Sequence, residues 1–339
     1  MNNTLDKFNL RQVILEAVDQ IKYEYKIENL PSLREYKFDN IVINGMGGSA
    51  LPAELLSETL TQYANNNQLY PVYIHRDYGK SKYIKDSSIV LAISYSGNTE
   101  ETLSAYETAI SENRVVIAMA AGGVLIERAK ELGLPYVVIP NPNPDFQPRY
   151  ATLYILKAII EVLIQFGILS DEAREKVVGL VSSVKPNNFE AQGQELAGLI
   201  NSKTPVIYAT CEYKLAAHLW KIKINENAKT PCFWNYVPEL NHNEMVGFTN
   251  PQANFQFIFL QNEVETSRNI KRFHKLKQLF ESRDLPVKNV IVPDFGNKLA
   301  NLVAMTLIGD WTAYYLALSY GIDPTPVDMV EEFKLLMKD

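Results

Sequence analysis

Short apolar runs and longer amphipathic stretches alternate along most of the chain. In the first half, runs rich in Val and Ile occupy residues 40–44, 71–75, 88–94, 114–118 and 136–140. Helical spacing fills most of the gaps, at 50–63, 99–112 and 124–132. The second half repeats the grammar, with runs at 205–209, 230–234, 255–260 and 287–293 and helical stretches at 213–229, 266–282 and 297–319. Continuous Val/Ile strands separated by helices predict parallel sheets covered on both faces. The expected fold is therefore α/β, with two doubly wound sandwiches in one chain.

The remaining segments frame these modules. Leu5, Phe8, Val13, Ala17, Ile21 and Tyr25 lie at near-helical spacing and predict one amphipathic helix ending before Pro31. Residues 151–166 read as a long helix bridging the modules. Pro186, Asn187 and Asn188 interrupt a helical pattern within 185–193 and mark the join. The expected division is an N-terminal helical segment at 1–32, a first domain at 33–185, a second at 186–322 and a helical tail at 323–339. No repeat of solenoid period is present.

Composition narrows the function classes. The chain has 339 residues, 47% apolar and 21% charged, which suits a globular protein of two domains. Lys plus Arg number 33 and Asp plus Glu 39, a net charge of −6. A nucleic-acid partner would leave a basic footprint, and the most basic stretch, 268–277, reads as a solvated helix face. No run of apolar residues is long enough for a membrane span, and the N-terminus lacks a signal-peptide h-region. Cys211 and Cys232 form neither a disulfide framework nor a CxxC pair, so a reducing cytoplasm is expected.

Two loops carry candidate chemistry. Ile41-Val-Ile-Asn-Gly45-Met-Gly47-Gly48-Ser49-Ala50 reads as a strand, a glycine turn and a helix start. Free N–H groups and the positive end of a helix dipole make such a turn an anion site. Gly45, Gly47 and Ala50 also satisfy the dinucleotide pattern GxGxxA. The acidic residue that pattern wants is Asp77, 27 residues beyond Ala50, a loose match. The bland reading is a tight turn with no ligand. The second loop, Ile93-Ser94-Tyr95-Ser96-Gly97-Asn98-Thr99-Glu100-Glu101, places Ser94, Ser96 and Thr99 at a helix start. Hydroxyls and N–H groups together hold a phosphate dianion. Plain N-capping accounts for Thr99 but needs none of the others.

This pair of loops resembles the sugar isomerase (SIS) domain. The resemblance implies that Gly47, Gly48, Ser49, Ser94, Ser96 and Thr99 hold the phosphate of a phosphosugar. It also implies a parallel sheet flanked by helices, in two copies.

Further residues are chemically open on their own. Leu215, Leu219, Ile222 and Glu226 share a helix face, so Glu226 is either a solvated helix end beside Lys221 and Lys229 or a general base. His242 lies in a polar loop, as an acid/base or as a surface turn. His242 and Glu244 lack a second His at metal-ligand spacing, so no metal is expected. His75, His218 and His274 read as structural or exposed.

These segments are similar to one branch of the SIS family, the bifunctional phosphoglucose/phosphomannose isomerases. Ile224-Asn-Glu226-Asn-Ala-Lys229 matches the segment carrying the family's catalytic base. Glu239-Leu-Asn-His242-Asn-Glu244 matches its ring-opening histidine, 16 residues after Glu226. Pro148-Arg149 after Asn141-Pro-Asn-Pro144 matches a segment whose arginine faces the substrate, although Arg149 has a bland alternative in pairing with Asp145. Asp323-Pro-Thr-Pro-Val327 and Glu331-Glu-Phe-Lys334 match a terminal segment whose lysine helps handle the sugar.

The resemblance implies a cofactor-free aldose–ketose isomerisation of glucose 6-phosphate or mannose 6-phosphate to fructose 6-phosphate. It also implies a homodimer in which the histidine comes from the partner subunit. The rivals are a phosphosugar-binding regulator without catalysis, an NAD-dependent dehydrogenase and an isomerase of another phosphosugar. A regulator would not need both Glu226 and His242, and residues 5–25 supply only one helix of a helix-turn-helix. Amino-sugar isomerases of the family are usually fused to or paired with other domains, for which this chain has no room.

Overall fold

The computed structural model describes residues 4–30, 37–59 and 70–337. The chain falls into two compact units, one spanning Ala17–Ser182 and the other combining Met1–Glu16 with Ser183–Asp339. The expected boundary at 32/33, Pro31 and the end of the 50–63 helix lie outside the described residues. The single N-terminal helix expected over 5–25 is instead split. Helix α1 (Leu10–Leu15) packs in the second unit, and a 3-10 turn at Ala17–Lys22 packs in the first. Ile14 and Ile21 are both fully buried, in different cores, so one straight helix cannot serve both.

In the first unit the strands are β1 (Asn40–Asn44), β2 (Val72–His75), β3 (Ser88–Ile93), β4 (Val115–Ala120) and β5 (Tyr136–Val138). All are parallel, in the order β2-β1-β3-β4-β5. The helices are α2 (Gly47–Thr59), α3 (Glu100–Ser111), α4 (Gly123–Glu131), α5 (Thr152–Gln165) and α6 (Asp171–Ser182). β1 and β3 are buried at every position, which explains their apolar stretches. Val42, Val90, Ala92, Val116 and Ala118 pack under Tyr106 and Ala109 of α3 and Leu125 and Ile126 of α4. Right-handed crossovers leaving β1 and β3 in opposite directions send α2 to the other face. The strand order reverses at β1/β3, and a doubly wound sheet binds ligands at such a switch point, outside the carboxyl ends of its strands. This order differs from that of the dinucleotide-binding fold.

Residues 151–166 do not bridge the units. α5 is buried along almost its whole length within the first unit, and the chain crosses only after α6.

The second unit repeats the plan with β6 (Thr204–Thr210), β7 (Phe233–Val237), β8 (Phe255–Asn262) and β9 (Val287–Val292), parallel in the order β7-β6-β8-β9. Its helices are α7 (Glu190–Ile200), α8 (Lys214–Ala228), α9 (Ser267–Glu281), α10 (Lys298–Ser319) and α11 (Asp328–Leu336), with α1 added. Tyr208 stacks on Phe259 of the sheet, Phe259 stacks on Phe273 of α9, and Phe257 lies tilted against Phe280 of the same helix. Among the described residues α10 alone is long and apolar enough to cross a membrane by length and composition, and 78% of its apolar window is buried. It packs against α7 and α8 as a core helix. Its Gly309 lies under the Trp220 ring of α8, whose Nε1 donates to Met305 O at 2.7 Å.

Candidate active site

The two loops singled out in the sequence flank the β1/β3 switch point of the first unit. α2 starts at Gly47 directly after β1, and Thr99 precedes the first residue of α3 after β3. Ser49 Oγ accepts from Tyr95 N at 3.0 Å, which ties the glycine turn to the hydroxyl loop. Ser94 is fully buried, and its Oγ accepts from Gly97 N at 3.1 Å. It lies 2.8 Å from Thr99 Oγ1 and 3.5 Å from Ser96 Oγ. Thr99 occupies the N-cap position of α3, yet its side chain makes no capping bond. Capping therefore does not explain this threonine, and its hydroxyl joins the Ser94 cluster instead.

Gly97 has φ +73°, and a Cβ there would meet Gly122 O at 1.8 Å, so no other residue fits. Gly48 is held just as closely by the next chain segment. A Cβ on it would lie 2.7 Å from Arg149 N. This approach sets Arg149 against the start of α2. Arg149 is fully buried, in the 3-10 turn Pro148–Tyr150, and Nη1 donates to Gln147 Oε1 at 3.2 Å. Its guanidinium lies 5.4 Å from the centre of the Tyr150 ring. The first unit thus gathers Gly47, Gly48, Ser49, Ser94, Ser96, Thr99 and Arg149 around one sheet edge. Hydroxyl groups, a helix N-terminus and a buried cation suit a phosphate dianion.

The equivalent edge of the second unit is closed. β6 runs into Thr210-Cys211-Glu212 with no glycine turn. Thr210 Oγ1 donates to Glu265 Oε2 at 2.6 Å, and Asn269 Nδ2 donates to Glu265 Oε1 at 3.1 Å. A carboxylate at this position repels an anion.

The second unit holds Glu226, His242 and Lys334. Glu226 is half-buried near the C-terminal end of α8. One turn earlier, buried Lys223 pairs with Asp310 of α10 at 2.9 Å. Lys229 Nζ closes the same helix end by donating to Asp323 O at 2.8 Å. His242 is exposed, at the end of the 3-10 turn Glu239–His242 that follows β7. Glu226 precedes β7 and His242 follows it, so they lie at opposite ends of a strand about 16 Å long at ~3.3 Å per residue. The unit does not bring them together. Lys334 is exposed on α11 and donates to Glu331 of the same helix at 2.7 Å.

The histidine loop has an anchor two residues after His242, the carboxylate of Glu244. Glu244 Oε1 accepts from Tyr208 OH at 2.6 Å, and its other oxygen accepts from Asn235 Nδ2. Burial raises the Tyr208 phenol, and the Glu244 carboxylate raises it further, so the tyrosine stays a donor. The spacing His242-Asn243-Glu244, unsuited to a metal, instead sets an anchored carboxylate beside the histidine. Among the described residues no group of three His, Cys, Asp or Glu is placed to hold a metal.

Two parallel sheets flanked by helices, the first with a glycine turn and a hydroxyl loop at its switch point, define a double SIS protein. The chain is 32% identical to the bifunctional phosphoglucose/phosphomannose isomerase of Aquifex aeolicus, over 96% of this chain and 98% of that one. It is 31% identical to the D-glucosamine-6-phosphate 4-epimerase of Sulfolobus acidocaldarius, over 88% of each. Residues 189–337 match the bacterial phospho-glucose isomerase C-terminal SIS domain. The C-terminal domain of glucosamine-fructose-6-phosphate aminotransferase from Francisella tularensis has the same fold, with a TM-score of 0.68 at 15% identity over 95% of this chain and 100% of that one. The protein belongs to the bifunctional phosphoglucose/phosphomannose isomerase family.

Proposed function

We propose that the protein interconverts glucose 6-phosphate and mannose 6-phosphate with fructose 6-phosphate by proton transfer between C2 and C1. The observation that carries this is the hydroxyl cluster tied across the β1/β3 switch point through Ser49 and Tyr95. The substrate phosphate sits on Ser49, Ser94, Ser96 and Thr99 with the backbone of Gly47 and Gly48. His242 moves the proton that opens the ring. Glu226 takes the C2 proton and returns it to C1 of a cis-enediolate. Arg149 stabilises the enediolate charge as a fixed cation, and Lys334 assists with the sugar hydroxyls. One base beside a planar enediolate serves both C2 epimers.

His242 works in the site of the partner subunit of a cytoplasmic homodimer. Its exposure, and its place at the far end of β7 from Glu226, support that reading. No cofactor or metal enters the mechanism.

A coupled assay with glucose 6-phosphate, mannose 6-phosphate and glucosamine 6-phosphate, with and without EDTA, tests the proposal. Activity on at least one of the first two, unchanged by EDTA, is expected. Turnover of glucosamine 6-phosphate alone would replace the isomerase with the epimerase reading. Activity abolished by EDTA would overturn the metal-free mechanism.

A further inference from the structure

Tyr95 stands between Ser94 and Ser96, but its side chain bonds elsewhere. The residue is buried, and its bonds run to three other segments of the first unit. Its N–H donates to Ser49 Oγ near the start of α2, and its carbonyl accepts from Ala121 N, just after β4, at 2.9 Å. Its hydroxyl donates to Pro140 O at 2.9 Å and lies 3.3 Å from Asn141 Oδ1. Further along that same segment the Phe146 ring packs against it, with ring centres 6.0 Å apart. Burial raises the phenol above its ordinary value, so the hydroxyl remains a donor at neutral pH.

We infer that Tyr95 is a positioning residue, which sets Arg149 in place relative to the bound phosphate. The segment that runs from Pro140 through Phe146 leads directly into the turn carrying Arg149. Beyond Arg149 the chain is pinned by buried Gln20, whose Nε2 donates to Tyr150 O at 2.8 Å and whose Oε1 accepts from Tyr154 N at 3.2 Å. α5 has no side-chain cap at Ala151, so this distant amide serves its first turn. On the near side, the segment rests on Tyr95 at two points, Pro140 and Phe146. One residue therefore joins the loop that holds the phosphate to the segment that brings the cation. The phosphate is held alike in substrate and transition state, whereas the enediolate charge develops only in the transition state. A displaced Arg149 therefore costs turnover and spares binding.

The inference rests on the role proposed above for Arg149. Steady-state kinetics with glucose 6-phosphate and mannose 6-phosphate, with inorganic phosphate as competitor, test it on the full chain. Tyr95→Phe keeps the ring and the backbone bond to Ser49 and loses only the hydroxyl. It should lower kcat about 10–100-fold, with KM and inhibition by phosphate changed less than ~2-fold and circular dichroism unchanged. Arg149→Lys should lower kcat at least as far, and Y95F/R149K should fall no further than Arg149→Lys alone, to within ~2-fold. An unchanged kcat in Tyr95→Phe, a raised KM in its place, or losses that multiply in the double variant would overturn the inference and leave the role of Arg149 standing. Full kcat in Arg149→Lys overturns that role and the inference with it. A wild type inactive on both sugars overturns the isomerase as well.

Discussion

The ion pair between Lys223 and Asp310 offers the sharpest energetic test, because it lies one turn before Glu226 on the same helix. Its side chains are 3% and 6% exposed, so both charges have left water. Replacing Lys223 by Met removes the cation that the buried Asp310 carboxylate faces at 2.9 Å between α8 and α10. Breaking a buried pair this way costs about 3–5 kcal/mol, whereas removing both charges is close to neutral. At ~2–4 °C per kcal/mol for a unit of this size, the single substitution should lower Tm by roughly 6–20 °C. K223M/D310A should recover most of that loss, since the flexible Met side chain fills much of the space that the lysine stem occupies. Urea midpoints for the two single variants and the double variant measure the coupling. A single variant that loses less than ~1 kcal/mol, or a double variant that loses the sum of both, would refute a buried, mutually dependent pair.

Three further outcomes follow from the geometry. Ser94→Ala removes the hub of the hydroxyl cluster. KM for the phosphosugar should rise about 10–150-fold, the equivalent of ~1.5–3 kcal/mol for a hydrogen bond to a charged group, and inorganic phosphate should weaken as a competitor by a similar factor. Glu226→Gln should abolish exchange of the C2 proton with deuterated solvent while phosphate competition persists; continued exchange would identify another base. Burial pushes the Glu161 carboxyl up, but hydrogen bonds from Arg174 and Lys157 outweigh it and hold the group below the ordinary value. Its stabilisation is therefore complete above the unfolded value of about 4.3 and is lost as pH falls through the folded value. Denaturation midpoints measured from pH 7 to pH 3 should drop on the acid side, and Glu161→Gln should flatten that drop.

Strands were legible because a parallel sheet buried on both faces needs apolar stretches, and residues 41–43 of β1, 89–93 of β3 and 257–260 of β8 supply them. α7 was not legible, because Pro186, Asn187 and Asn188 interrupt the helical pattern just ahead of it and Gly193 lies inside it. The structure gives Gly193 another reason. A Cβ there would lie 2.2 Å from Cβ of Trp311, so the glycine lets α7 close on α10. Pro186 offers its carbonyl to Trp311 Nε1 at 2.8 Å. α6 has only scattered apolar residues and an interior Gly179, so its periodicity was weak. In the candidate site, the glycine turn and the hydroxyl loop were visible as local motifs. The Ser49–Tyr95 bond and the close approach of Gly48 to Arg149 were not, because they join segments distant in sequence. The anchoring of Glu244 by Tyr208 was hidden for the same reason.

The N-terminal helix is held to the second unit by Arg11 on Glu190 at 2.7 Å and by Asp6, which accepts from Tyr314 OH at 3.1 Å. The chain therefore passes between the units twice, at Glu16/Ala17 and again at Ser182/Ser183. A protease that nicks one crossing leaves the other intact and frees neither unit. A fragment beginning at residue 183 would lack α1 and leave Glu190 and Tyr314 without these partners. The first unit is in effect an insertion into the second, and the natural fragment to excise is residues 17–182, which carry the glycine turn and the hydroxyl loop together.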